Sequence, residues 1–194
     1  MTIASLASLS FVPNAKQFAA HQHLTLSFSH VWQIEAGFVR TVTWSEDGTL
    51  VVLGIWGAGD VVGRALTKIN PLQIECLTKV QASLVAIDSL HHLSDILLTH
   101  LHYSEELMLI RGSKRADLML VKLLSWLADR FGQTTRQGKL INLRLTHRDL
   151  AELLGTTRVT ITRILNQLEQ QKYIQRLPLQ QIVLQQEALW HYEI

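Results

Sequence analysis

The stretch LTHRDLAELLGTTRVTITRILNQLEQQKYI, residues 145–174, constrains this chain more than any other. It reads as two short helices joined by a tight turn. Thr146 is a good N-cap, and Asp149 three residues later completes a capping-box-like entry. Leu150, Leu153 and Leu154 then supply an apolar face at helical spacing, beside the small Ala151. Gly155 stands where a positive φ would end the first helix and turn the chain. Thr156 or Thr157 caps the second helix, whose buried stripe is Ile161, Ile164, Leu165 and Leu168. The opposite side carries Arg158, Val159, Thr162, Arg163 and Asn166 at spacings of one, three and four residues. Two arginines can each meet a guanine edge in fork geometry, and a valine or threonine methyl can meet a thymine methyl. The plain alternative is a helical hairpin whose arginines only solvate a surface. It does not account for the small residue, glycine, cap and basic outer face all falling in helix-turn-helix register.

Charge points the same way. Residues 1–89 hold five Lys and Arg against six Asp and Glu, whereas residues 111–178 hold thirteen against five, a net +8. A basic C-terminal third beside a neutral N-terminal part fits a polyanion-binding module attached to something with another task. Lys139, Arg144, His147, Arg148 and Thr157 are the candidate phosphate contacts around the hairpin. The single Cys76 excludes an intrachain disulfide framework and by itself holds neither an iron–sulfur cluster nor structural zinc. No signal-peptide pattern and no apolar run of about 20 residues is present, so a cytoplasmic location without membrane contact is expected.

Before the hairpin the chain divides in two. Residues 1–23 carry no convincing period; Pro13-Asn14 reads as a turn and Gln17–His23 as a short helix or loop. Alternation over Leu24–Ser29, Val31–Glu35 and Phe38–Trp44 predicts strands. Ser45–Thr49 is a hairpin loop with Gly48 where positive φ is needed. Leu50–Trp56 is an apolar strand buried on both faces, followed by a Gly57–Asp60 turn and short strands at Val61–Gly63, Leu72–Val80 and Ser83–Asp88. Such spacing predicts a small sandwich or barrel. From Asp88 the chain is helical. Leu93, Ile96, His100, Tyr103, Leu107 and Ile110 recur at steps of three and four, a coiled-coil-like seam expected to form a dimer interface. Arg111-Gly112-Ser113 breaks the run as a hinge. Leu118–Phe131 is an amphipathic helix, Gln133–Lys139 a polar loop, Ile141–Leu145 a strand, and Tyr173–Arg176 with Gln181–Leu184 a hairpin around Pro178.

This order of parts resembles the cyclic-AMP receptor protein/FNR family of bacterial transcription regulators. The resemblance runs from about Val31 to Leu184. It is carried by HVWQIEAGFVRTVTWSEDGTLVVLGIWGAGDVVG and by the helix-turn-helix segment above. The recognition helix is similar to that of the cyanobacterial global nitrogen regulators, with the same Arg-Val-Thr-hydrophobic-Thr-Arg order over Arg158–Arg163. The resemblance implies an α+β fold. Its parts are a shortened, jelly-roll-like β-roll over residues 1–89, a long dimerisation helix over 90–111 and a winged helix-turn-helix over 112–194. It implies a homodimer on near-palindromic double-stranded DNA, base contacts from Arg158, Val159 and Arg163, and contact with RNA polymerase.

The departures from the family pattern bear on the effector. Cyclic-AMP-binding members carry a glutamate after the glycine of the GDxxG turn, where this chain has Arg64. Their phosphate-holding arginine and serine fall near Leu72 and Gln73, neither of which neutralises a phosphate. A buried unpaired phosphate is expensive, so cyclic AMP is not expected to bind. Against the nitrogen regulators, which bind 2-oxoglutarate, Glu105 matches their glutamate but His100 replaces their arginine. Arg64, His100 and Glu105 therefore frame a pocket for a small dicarboxylate, beside the alternative of a roll that has lost its pocket and uses no cofactor.

A rival reading is a cupin-like metal-dependent enzyme or small-molecule sensor, with a C-terminal module that binds protein. It rests on His21, His23 and His30, but the further ligands at cupin spacing are missing. His91, His92, His100 and His102 lie on or beside the long helix, with His100 in its seam. Cys76 reads as a small buried hydrophobe, and Trp44, Trp56 and Trp126 as core. No paired carboxylates, nucleophile elbow or phosphate-cradling loop is present, so no enzyme and no metal site are expected.

Overall fold

The computed structural model describes residues 15–90 and 93–185. The expected turn at Pro13-Asn14 and the side chains of His91 and His92 lie outside these. Seven strands build the N-terminal roll: β1 (Ala15–Phe18), β2 (His30–Ala36), β3 (Val39–Trp44), β4 (Leu50–Trp56), β5 (Val61–Val62), β6 (Gln73–Cys76) and β7 (Val80–Ala86). They form two antiparallel sheets, ordered β1-β7-β2-β5 and β4-β3-β6. Trp32, Ile34, Val39, Ile74, Cys76, Val80 and Ala82 fill the space between them. Residues alternating in along each strand build this core, as the period of two requires.

Three sequence expectations change in the roll. Ala15–Phe18 is a strand that takes in Gln17 and Phe18 of the expected helix or loop, paired with β7 and anchored by an edge-to-face contact of Phe18 with Trp32 at 5.3 Å. Leu24–Ser29 is not a strand. Backbone bonds from His21 and Leu24 follow the edge of β6, after which Leu26 and Phe28 turn outward and only Leu24 is buried. The single strand expected over Leu72–Val80 is two, because the chain crosses there between sheets: β6 pairs with β3, and β7 with β2. Trp44, expected in the core, lies exposed at the end of β3.

The helical part begins with α1 (Leu93–Arg111) and α2 (Ala116–Phe131). A hairpin of β8 (Gly132–Thr135) and β9 (Gly138–Ile141) follows, then α3 (His147–Leu154), α4 (Arg158–Gln170), β10 (Ile174–Arg176) and β11 (Ile182–Leu184). The last sheet runs β10-β11-β9-β8, so the expected C-terminal hairpin is present and gains two further strands. Most of their length falls in Gln133–Lys139, which reads as a polar loop because Gln133, Thr134 and Thr135 leave no apolar alternation; all three are exposed. The alternation at Ile141–Leu145 does bury Leu143 and Leu145, but beyond Ile141 the segment has no ladder partner and turns, with Leu145 N bonded to Leu143 O at 3.1 Å.

One apolar cluster runs from Val42, Val52 and Ile55 of the roll, through Leu107 and Ile110 of α1 and the buried side of α2, to Leu150, Ile161 and Leu165 of the last two helices. The C-terminal module is thus packed on the roll rather than tethered beside it. Three arginines cross this junction, Arg40 buried and Arg111 and Arg130 partly so. Arg40 on β3 reaches α3. Arg111, in the expected hinge, donates from Nε to Leu153 O at 2.7 Å and from Nη2 to Val52 O at 2.5 Å. Arg130 at the end of α2 donates to Ile55 O at 2.9 Å and to Asp60 at 2.8 Å.

Candidate nucleic-acid interface

The two helices meet as the sequence dictates. Thr146 Oγ1 accepts from Asp149 N at 3.1 Å while Asp149 accepts from Thr146 N at 2.8 Å, a complete capping box. Gly155 closes α3 at φ +64°, the left-handed conformation a side chain resists. Thr157, not Thr156, caps α4, with Oγ1 accepting from Thr160 N at 3.1 Å. Leu150, Ala151, Leu153 and Leu154 of α3 and Ile161, Ile164, Leu165 and Leu168 of α4 are all buried. This packing turns Arg158, Val159 and Arg163 outward. Val159 is 78% exposed. The guanidinium groups of Arg158 and Arg163 hydrogen-bond to no other described residue and so remain available to a ligand.

The rest of the expected site divides. Thr162 is half-buried: its hydroxyl donates to Arg158 O at 2.9 Å and receives His147 Nδ1 at 2.8 Å. His147 is therefore turned onto the recognition helix instead of outward. Burial, with the charges of Arg176 and Arg158, holds its imidazole below the usual histidine range. Arg144 and Arg148 are exposed; Arg148 pairs with Glu152 one turn on at 2.7 Å. Lys139 is paired with Asp129 on α2. Asn166 accepts from Arg176 Nη2 at 2.9 Å, and Arg176 also bonds Glu169 through its side chain and backbone. That arginine holds the Glu169 carboxyl below the usual range and staples the first strand of the wing to α4. Sequence reasoning missed Arg176 because its partners lie seven and ten residues back, across a turn.

The comparisons with known proteins agree with this geometry. A model of the Crp-like helix-turn-helix domain matches residues 120–192. A CRP-family transcriptional regulator from Thermus thermophilus shares the fold at TM-score 0.76 and 21% identity, over 91% of this chain and 95% of that one. The regulatory protein CysR of Synechococcus elongatus is 41% identical over 163 residues, 82% of this chain and 79% of its own length. The chain belongs to the CRP/FNR family of transcription regulators. A CRP/FNR regulator binds DNA and is not an enzyme, and the cupin-like alternative is not favoured. Among the described residues no three His, Cys, Asp or Glu side chains are grouped to hold a metal ion. His21 pairs instead with Glu75 at 3.2 Å. The global nitrogen regulator of a Nostoc species is 44% identical over 55 residues, 28% of this chain and 25% of that protein, in keeping with the resemblance of the recognition helix.

In this CRP/FNR chain the long helix α1 departs from its sequence reading. The seam of Leu93, Ile96, His100, Tyr103, Leu107 and Ile110 faces the chain's own roll and α2. Leu107 and Ile110 are buried there. His100 stacks on Trp56 at 4.0 Å and 21° and bonds Val61 O at 2.7 Å. Leu97, Leu98, Leu101, Met108 and Leu109 are left exposed beside that seam, and Leu97, Leu101 and Met108 also border the cavity between α1 and the roll. Both sides of α1 are apolar, so a period of three and four selected one correctly as buried but not what buries it. No described helix is long and apolar enough to cross a membrane.

The expected effector pocket also changes. A cavity of about 390 Å³ lies between α1 and the roll, so the roll has not lost its pocket. Its walls include Trp56, Val62, Leu72, Leu101 and Leu107, with Thr41, His100 and Ser104 as polar members. Arg64 and Glu105 are not among the lining residues. Arg64 donates to Ile69 O and lies 5.3 Å over the ring of Phe28, while Glu105 is exposed. The cation on the wall is Arg111, committed to two carbonyls. His100 is held below the usual histidine range by burial, with Arg130 adding to the shift. Cys76 is buried, and burial with the Glu75 charge pushes its thiol up to about 11, as expected of an inert core residue.

Proposed function

We propose that this regulator acts as a homodimer reading a near-palindromic DNA site, one α4 in each of two successive major grooves. The observation that carries the reading is the outward, unpaired face of Arg158, Val159 and Arg163 on a helix whose other side is buried. Bidentate arginine contacts to guanine and methyl contact to thymine discriminate by about 1–3 kcal/mol each. One helix reads too few base pairs for useful specificity, so two must act together at a spacing of about 34 Å. Arg144, Arg148 and the N-terminal turn of α4 at Thr157 take phosphates; Lys139 joins them on leaving Asp129. Thr162 contributes its non-hydroxyl surface, its oxygen being engaged by Arg158 and His147.

The dimer face in this reading is the exposed stripe Leu97, Leu98, Leu101, Met108 and Leu109, in place of the inward seam. Five large apolar side chains clustered on one helix are more than a monomer ordinarily leaves to water. A cavity whose wall cation, Arg111, is already engaged supports a regulator that does not answer to cyclic AMP. A dicarboxylate is not supported either, because Arg64 and Glu105 stand away from the cavity. Contact with RNA polymerase and a cytoplasmic location follow from the family role alone. Footprinting with the Arg158→Ala and Arg163→Ala variants tests the reading. Each should lose protection selectively at particular bases, whereas an unchanged footprint in both would remove its basis.

A further inference from the structure

The reading head is fastened to the roll by an ionic clasp whose centre belongs to the roll. Arg40 stands on the middle strand of the three-stranded sheet and is 8% exposed. On its own sheet Nε and Nη2 lie 2.9 and 2.8 Å from Glu75 Oε2, directly opposite in the β3–β6 register. Across the junction Nη1 lies 2.6 Å from Glu152 Oε2 and 3.4 Å from Asp149 Oδ1, both on α3. One guanidinium thus joins three carboxylates from two structural units. Burial opposes the charge of Glu75, yet the hydrogen bonds and charge of Arg40 hold its carboxyl below the usual range.

A buried ion pair adds little net stability over apolar packing, and its better-attested use is to fix one arrangement among several. Two features show which arrangement. Asp149 is also the capping-box residue of α3, so the clasp grips the first helix of the reading head at the turn that defines its start. Moreover, the clasped state leaves the outer side of α4 uncovered, so it presents the reading face and does not mask it. Arg111 pins the same helix from its other end, through Leu153 O, to Val52 of β4.

We propose that Arg40 is a positioning residue for DNA reading. It sets the angle of each reading head on its roll, and hence the separation of the two heads across the dimer, without touching DNA. The inference rests on the dimeric DNA-reading function proposed above. A single head needs no such setting to occupy a half-site. Two heads need it, because both must arrive in register for the second contact to profit from the first. Removing Arg40 takes away the one cation that joins Glu75 on the roll to Asp149 and Glu152 on α3, leaving Glu152 to Arg148 and Glu75 to His21 on their own sides of the joint.

The test compares duplexes carrying one half-site, two half-sites at the preferred spacing, and two half-sites moved apart by one or two base pairs. Arg40→Met should bind the half-site within about twofold of the unaltered chain, lose at least tenfold on the full site, and discriminate several-fold less between spacings. Glu152→Gln should move the same way by a smaller factor, and it serves alone if Arg40→Met does not fold. Ile34→Ala, which weakens the roll core without touching Arg40 or its three carboxylate partners, should leave the spacing profile unchanged. Full-site affinity and spacing preference retained in both clasp variants would overturn the proposal. Equal losses on half-site and full site would also overturn it, as would a spacing change in Ile34→Ala. Failure of the unaltered chain to prefer any two-half-site duplex would instead overturn the dimeric reading, and this proposal with it.

Discussion

Replacing Arg130 with methionine should destabilise the protein by about 3 kcal/mol, because this side chain is a charge buried between two structural units. Its guanidinium donates to Ile55 O and Asp60 Oδ2, at 2.9 and 2.8 Å, and lies 3.4 Å from the Tyr103 ring centroid and 4.8 Å from that of Trp126. Breaking a buried pair from one side costs about 3–5 kcal/mol, mostly from the charge left behind. Here that charge is Asp60, whose side chain is 14% exposed and still accepts from Gly57 N at 2.7 Å, which places the cost at the low end. Lost cation–ring attraction adds about 1–2 kcal/mol. Methionine filling the slot returns a similar amount through contact with the aromatic rings. For a chain of this length the loss lowers Tm by roughly 6–12 °C. Urea unfolding at fixed protein concentration, followed by tryptophan fluorescence, measures it directly. The double variant Arg130→Met/Asp60→Asn should recover part of the loss, since it removes the stranded charge. A loss under about 1 kcal/mol, or no recovery in the double variant, would refute the reasoning from uncompensated charge.

Other consequences are equally open to measurement. Leu98→Glu/Leu101→Glu should yield a folded monomer by sedimentation velocity, whereas Leu107→Ala, within the core, should cost about 2–5 kcal/mol in unfolding; a dimer surviving the first pair would remove the proposed interface. His100 is held neutral by burial, so its contribution is complete above the unfolded value of about 6.5 and declines as pH falls through that value towards its folded one. The slope is at most about 1.4 kcal/mol per pH unit. His100→Gln, keeping a donor for Val61 O, should flatten the fall in stability between pH 7 and 5.5, and an identical profile would contradict the assignment. Gly155→Ala places a side chain at φ +64° in open space, so it should cost about 1–2 kcal/mol through backbone strain alone.

The contrast between the reading head and the rest follows from where each interaction lies along the chain. Caps, turn glycine and apolar stripes of α3 and α4 are local, with partners three to five residues apart, and the sequence carries them openly. Wherever a second surface decided the outcome, the sequence reading was incomplete. The seam of α1 was visible as a buried side, but the choice between a partner helix and the chain's own roll depends on Trp56 and Val61, remote in sequence. Arg40 read as an ordinary strand residue because its partners, Glu75, Asp149 and Glu152, lie 35 to 112 residues away. The strands β8 and β9 were invisible because exposed polar residues form them and pairing alone holds them. The family resemblance supplied the architecture. It did not supply the three arginines that lock roll to reading head, and it placed Arg64 and Glu105 at a pocket they do not line.

Selection of bound sequences from a random duplex pool, using the unaltered chain, tests the account's central claim most directly. The predicted product is an inverted repeat whose two halves are centred about one helical turn apart, with guanine positions in each half that relax when Arg158 or Arg163 is changed to alanine. Enrichment of a single unrepeated motif, or of no motif at all, would contradict it.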